Sequence, residues 1–267
     1  MSVQGRYQLR VAGNGPAAMV FIHGLGGDQG MWRLLAPAFQ DRFRIVSYDL
    51  SGCGQSEPAA YDTARHASLH GHAADLLDIL DAIAAGPVVT VGHSSGAIIG
   101  MLAAAAAPQR FRAQVMIAPS PCYLNDGDYV GGFERTDVDA LLDSMDADYH
   151  GWSRSLAPMI MGAPNQPLLR EELTARFCNN DPAIARHFIR VSFLSDHRAE
   201  AARSTVPALI LQCSDDLLAP REVGDWLHRT LPVSTLQTIQ NVGHCPHMSA
   251  PDACALAVEE FLAGTLE

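Results

Sequence analysis

The chain has 267 residues, 48% of them hydrophobic and 18% charged, with a formal net charge of −11 at pH 7. Such a chain can bury a large core, and its length suits one α/β domain with an insertion better than two independent domains. The acidic balance, with no Lys/Arg cluster to offset it, argues against nucleic acid and anionic membrane surfaces as partners, and no apolar run approaches the ~20 residues that span a bilayer.

In chain order, strands are expected at residues 7–12, 18–22, 44–48, 88–91, 113–117, 208–212 and 234–239, and helices at 31–39, 67–84, 95–107, 221–230 and 252–262. Runs such as Ala208-Leu209-Ile210-Leu211 are apolar without alternation. That pattern fits strands buried on both faces of a parallel sheet. Alternating strands and helices define the α/β class. Residues 121–205 break the rhythm. Val138, Leu141, Leu142 and Met145 recur at helical spacing, followed by Tyr149, Trp152, Leu156 and Ile160, then Leu169, Leu173 and Phe177, then Ile184, Phe188 and Val191. Pro158, Pro164, Pro167 and Pro182 punctuate them. About four short helices are therefore expected, forming a cap over an apolar pocket. The expected division is a core of residues 1–120 and 206–267, and a cap of residues 121–205.

The strongest chemical signal is Gly92-His93-Ser94-Ser95-Gly96, set between an apolar strand and an alanine-rich helix. A strand–turn–helix context makes G-x-S-x-G a nucleophile elbow, with both glycines needed where side chains would clash. A serine hydroxyl needs a base and a group that orients the base. His244, in the loop after the last expected strand, supplies the base. Asp215 or Asp216, after strand 208–212, supplies the acid, and the residues alone leave that choice open. His93 is expected to pack beneath the pocket, directed away from the hydroxyl. The order Ser, Asp, His is that of α/β-hydrolases. Backbone N–H groups of Ser95 and of Leu25, in the loop His23-Gly24-Leu25-Gly26-Gly27, are expected to form the oxyanion hole.

The six cysteines show neither a C-x-x-C pair nor a disulfide spacing, and the N-terminal residues carry no signal-peptide apolar segment; together these suggest the cytoplasm. Cys245 beside His244 is a lesser candidate nucleophile. His66, His70 and His72 lack a nearby acidic third ligand, so they are expected to form a solvated helix face and no metal site is assigned. His247 is expected to be a satisfied structural histidine. No nucleotide-binding loop is present and no cofactor is expected.

Tyr123-Leu124-Asn125-Asp126, Asp128 to Glu134, Ala157-Pro158, Phe193-Leu194-Ser195-Asp196 and Gly243-His244-Cys245-Pro246-His247 resemble the RsbQ-type hydrolases. That group joins a bacterial stress-sigma-factor regulator to the plant karrikin and strigolactone receptors. The resemblance runs from about Val20 to Phe261 and is densest in the expected cap. It implies an α/β-hydrolase fold with a mostly parallel sheet, flanking helices and a four-helix cap. It puts the nucleophile on Ser94, the base on His244, the acid on Asp216 and the oxyanion donors on Leu25 and Ser95. It also assigns the substrate pocket to Tyr123, Phe133, Trp152, Leu156 and Phe193. Leu25 and Leu156 stand where the plant receptors usually have phenylalanine, which implies a wider pocket and a character closer to the bacterial branch. The implied activity is cleavage of a small hydrophobic ester or lactone. The alternative it implies is a stress-signalling module or small-molecule receptor acting through a protein such as a PAS-domain phosphatase.

Overall fold

The computed structural model describes residues 2–266. Its frame is a seven-stranded sheet built from β1 (Arg10–Ala12), β2 (Ala17–Ile22), β3 (Phe43–Ser47), β4 (Val88–His93), β5 (Phe111–Ile117), β6 (Ala208–Asp215) and β7 (Ser234–Val242). The spatial order is β1-β3-β2-β4-β5-β6-β7, with β1 antiparallel to β3 and every other pairing parallel. Side chains alternate across the sheet as a two-residue period demands. Val20, Ile22, Ala208 and Ile210 join one buried cluster, and Met19, Phe21, Leu209 and Leu211 join the cluster on the opposite face. Both faces are covered, which explains why these strands read as continuous apolar runs.

The helices are α1 (Val3–Arg6), α2 (Leu69–Ala82), α3 (Ser95–Ala106), α4 (Arg135–Ala147), α5 (Tyr149–Met161), α6 (Pro167–Asn179), α7 (Pro182–Leu194), α8 (Arg198–Ala201), α9 (Arg221–Thr230), α10 (Pro246–Ser249) and α11 (Pro251–Leu266). Helix α3 is apolar on all sides and buried for ten of its twelve residues, as befits a helix enclosed on every side. Helices α4 to α8 lie between β5 and β6; four of them are long, and α8 is a single extra turn. Among the described residues no helix is long and apolar enough to cross a membrane.

Two local expectations are corrected. Residues 7–12 do not form one strand. The Ser2 side chain caps a helical turn ending at Arg6, and Tyr7 turns inward, buried edge-on against Tyr48, so extension begins only at Arg10. Residues 31–39 do not form one α-helix either. They form two 3-10 turns, Gln29–Arg33 and Ala36–Phe39. Pro37 cannot donate the backbone bond that a continuous helix would need there.

Candidate active site

Strand β4 runs into α3 through Ser94, whose φ of 53° is unusual for a residue with a side chain. The flanking glycines show why the turn closes only with this sequence. A Cβ on Gly92 would lie 2.5 Å from the Gly96 carbonyl oxygen, and one on Gly96 would lie 2.3 Å from that of Ile22 in β2. The Ser94 N–H donates to the Ile117 carbonyl at the end of β5, at 2.9 Å, so the turn is fixed to two strands at once.

The side chain of Ser94 meets His244 from the loop after β7, its Oγ lying 2.8 Å from Nε2. On the other side of the ring, Nδ1 lies 2.9 and 2.8 Å from the two carboxylate oxygens of Asp216. A carboxylate accepts only, so Nδ1–H donates to Asp216, which leaves Nε2 to accept from the Ser94 hydroxyl. Burial pushes the Asp216 carboxyl up. The adjacent His244 ring and the backbone N–H groups of Leu218 and Ala219 outweigh burial and hold it below the ordinary value. Asp215 points elsewhere: it is exposed, and its carbonyl accepts from the Gly243 N–H at 2.8 Å. Of the two neighbours, Asp216 is the one brought to the imidazole.

His93 sits beneath, where its Nε2–H donates to the His244 carbonyl at 2.8 Å. Burial, with His244 nearby, lowers its pKa to about 3. It therefore acts as a neutral strut for the base loop. Cys245 is buried and its thiol is pushed well above the ordinary range, so no thiolate is at hand to compete with Ser94.

The loop after β2 is held by His23, whose Nδ1–H donates to the Gly24 carbonyl at 2.8 Å while Nε2 accepts from the Leu50 N–H at 3.0 Å. Asp49 braces the same region by accepting from the N–H groups of Gln29 and Gln55, each at 2.8 Å. This places the Leu25 N–H against the start of α3, where it donates to Ser95 Oγ at 3.2 Å. The N–H of Ser95, first in its helix, has no intrahelical acceptor.

Above Ser94 lies an apolar cavity lined by Leu25, Met31, Tyr123, Trp152, Leu156, Ile160, Leu173, Phe177, Phe193 and Leu218, with His93, His244 and Cys245 at its floor. Four of the five pocket residues expected from sequence are there. The fifth, Phe133, is one layer back, edge-on to Tyr123 and Phe193, and supports them without lining the cavity. The cavity encloses about 420 Å³ of space. Trp152 and Phe177, with ring centroids 6.3 Å apart, line the cavity together with Met31 and Leu173. Met159 is exposed and Met161 is packed away from the cavity. The Tyr123 hydroxyl lies 3.4 Å from Ser94 Oγ, and burial raises its pKa to about 12. Phe177, Met31 and Leu173 were not foreseen as lining residues. Leu173 and Phe177 do share a periodic stripe, but periodicity does not say whether a stripe faces a cavity or a neighbouring helix.

Of the other histidines, His70 is exposed as expected, whereas His66, His72 and His247 are not as expected. His66 and His72 are each 1% exposed and do not form a solvated face. His66 precedes α2 and lies 2.9 Å from Asp75, and the His72 ring stacks against His66 and Phe188. His247 is buried between Trp32 and His93, and neither of its ring nitrogens has a hydrogen-bond partner among the described residues, so it is not satisfied.

A buried serine, histidine and aspartate thus stand in hydrogen-bonded series under an apolar roof. Residues 19–258 match the alpha/beta hydrolase family, and the chain belongs to that family, with the features of an RsbQ-type hydrolase. It is 35% identical to Karrikin insensitive 2 receptor CA of Petunia hybrida, over 94% of this chain and 93% of the receptor. It is 34% identical to Strigolactone esterase D14 of Arabidopsis thaliana, over 91% of each. Among solved structures it is similar to olei00960, a hydrolase from Oleispira antarctica. The TM-score there is 0.95 at 38% identity, covering 98% of this chain and 96% of the other.

Proposed function

We propose that this protein is a serine hydrolase that cleaves a small hydrophobic ester or lactone. The observation that carries the reading is the unbroken hydrogen-bonded series from Ser94 Oγ through His244 to Asp216, closed beneath an apolar cavity. Ser94 attacks the carbonyl carbon as His244 Nε2 takes its proton. Asp216 holds the ring in the required tautomer and stabilises the imidazolium. The N–H groups of Leu25 and Ser95 stabilise the oxyanion of the tetrahedral intermediate. His244 then returns the proton to the leaving alkoxide, and a water molecule activated by the same base releases the acid and restores Ser94. Residues 121–205 act as the cap over a core of residues 1–120 and 206–267, excluding water and large substrates.

The relatives named as a strigolactone esterase and a karrikin receptor support a small-molecule substrate. The likeness to a receptor also favours a second reading, in which ligand binding or turnover is communicated to a protein partner such as a PAS-domain phosphatase. The two readings are compatible, since both use the same cavity.

The test is covalent labelling together with turnover. A fluorophosphonate should add one adduct to wild type, located on Ser94 by peptide mass, and Ser94→Ala should lose the adduct and the hydrolysis of short-chain aryl esters. Loss of the nucleophile in a comparable triad costs on the order of 10⁶ in kcat. Adduct formation elsewhere, or turnover by Ser94→Ala above a tenth of wild type, would overturn the reading.

A further inference from the structure

Outside the catalytic cavity, a second group of ligand-type side chains comes together from distant parts of the chain. His70 lies in the first turn of α2, whereas His197 and Glu200 lie at and within α8, where the chain leaves the insertion and returns to the core. His70 Nε2 is 3.7 Å from Glu200 Oε1, and His197 Nδ1 is 4.0 Å from Glu200 Oε2. The two rings meet edge to face with centroids 5.3 Å apart. One ligand atom from each residue falls within 4.8 Å of the others.

The polar atoms at this spot lack protein partners. His197 is 4% exposed, and both its ring nitrogens and Glu200 Oε2 are buried without a hydrogen bond among the described residues. A buried imidazole with two unsatisfied nitrogens is costly unless something absent from the protein itself satisfies it. Ligand bonds of ~2.0–2.2 Å at a tetrahedral angle put ligand atoms about 3.3 Å apart. The three groups are thus within a small side-chain rotation of coordination geometry. Arg203 lies 3.6 Å from Glu200 Oε1, but its side chain is 70% exposed and can swing into solvent.

We propose that His70, His197 and Glu200 form a binding site for a divalent transition metal of the zinc class. Two imidazoles and one carboxylate suit Zn²⁺, Co²⁺ or Ni²⁺ better than the hard cations Mg²⁺ and Ca²⁺. The groups line a surface cleft of about 440 Å³, so a fourth position faces solvent and takes water. The metal acts as a clamp. It ties α2 of the core to the segment where the insertion begins and ends, since the His197 N–H already donates to the Pro121 carbonyl at 2.8 Å and Cys122 pairs with Asp196. In the buried group of His66, His72 and Asp75 both His72 ring nitrogens also lack partners among the described residues, but the carboxylate there is already used. Asp75 already pairs with Arg65 and accepts from Ser51, so its carboxylate is committed.

The experiment uses chelator-stripped full-length protein titrated with Co²⁺. One equivalent should produce the visible absorption of a low-coordinate cobalt site, displaced by Zn²⁺, and Zn²⁺ should raise the Tm of wild type by several degrees. His70→Ala, at a position whose exposed side chain makes unfolding no concern, should weaken binding more than about 100-fold. Even outer-shell partners of metal ligands cost 10–100-fold when removed. His70→Cys should bind Co²⁺ with an added thiolate-to-metal charge-transfer band, a signature that only direct ligation gives. Absence of the cobalt spectrum, equal binding by His70→Ala, or a His70→Cys spectrum without that band would each overturn the site. None of these readouts depends on ester hydrolysis, so the proposal stands or falls separately from the catalytic reading.

Discussion

Leu25 N–H donates to the hydroxyl of Ser95 across 3.2 Å, so the loop donor proposed for the oxyanion hole is already engaged by the side chain next to Ser94. A substrate carbonyl must displace that hydroxyl before both backbone donors can serve it. A neutral hydrogen bond of this kind is worth about 1 kcal/mol. Ser95→Ala keeps the Ser95 backbone N–H and removes only the competitor. We therefore expect kcat/KM for short-chain esters to rise about fivefold, measured under initial-rate conditions. A fall would mean that the hydroxyl itself donates to the oxyanion.

The two adjacent aspartates should separate cleanly. Asp216→Asn should lower kcat by several orders of magnitude, because the ring then favours the wrong tautomer; the analogous change in a serine protease costs ~10⁴. Asp215→Asn, at an exposed position, should cost less than tenfold. Steady-state kinetics on both variants would reveal reversed roles at once.

The acid limb of kcat/KM should be a single-proton event. The Asp216 carboxyl is held below its ordinary value, so it stays an anionic acceptor where an ordinary carboxyl would begin to protonate. The logarithm of kcat/KM should then fall by about one per pH unit on the acid side. A slope near two would show that Asp216 titrates together with the imidazole.

Stability should also fall with acidity, for a separate reason. Burial, with His66 nearby, lowers the His72 pKa to about 3, and burial takes His93 to about 3 and His247 well below the ordinary imidazole value. Each is neutral when folded but takes a proton when unfolded once pH drops below ~6.5. The unfolded state therefore binds more protons, and each ring subtracts up to about 1.4 kcal/mol per pH unit down to its folded pKa. Above that window the effect vanishes. Urea melts at pH 7 and pH 5 should show the loss, and His247→Gln should lessen it. An unchanged pH dependence in that variant would exclude His247 as a contributor.

Trp152 carries the largest side chain lining the cavity. Trp152→Ala should shift preference toward bulky acyl groups, measured as the ratio of kcat/KM for long and short esters. Truncating a buried Trp typically costs ~3–5 kcal/mol, so Trp152→Leu provides a milder version of the same test. An unchanged ratio in both variants would mean that size is selected elsewhere.

How much of this was legible in the chain depended on distance along it. The elbow is local: one strand, five residues and one helix state the whole geometry, and the glycine contacts explain why. His244 followed from its place after the last strand. Asp216 did not follow from the residues, because two adjacent carboxylates differ only in direction; the family resemblance supplied the choice. The 3-10 turns around Pro37 and the inward Tyr7 arise from local bonds that override periodicity. The acidic partner of His70 lay hidden because it is 130 residues downstream, beyond the reach of any spacing rule. Trp152 was foreseen in the pocket, yet Met31, Leu173 and Phe177 were not, since which side chains line it depends on how the elements interlock.

The loop bearing His244 is stitched to α5: the His244 N–H donates to the Ile160 carbonyl at 2.8 Å, and the Ala163 N–H donates to the Val242 carbonyl at 2.9 Å. Helix α6 is moored as well, through Glu172 to Arg33 at 2.6 Å and Arg176 to Asp28. Helix α7 is tied to α4, Asp146 to Arg186 and Arg190, and to the core as well, through Tyr61 against His187 and through Phe188 in the core cluster. Lifting α5 would draw His244 away from Ser94. The loop that carries His244 and the end of α5 are therefore one backbone-bonded unit, so displacing either displaces the other.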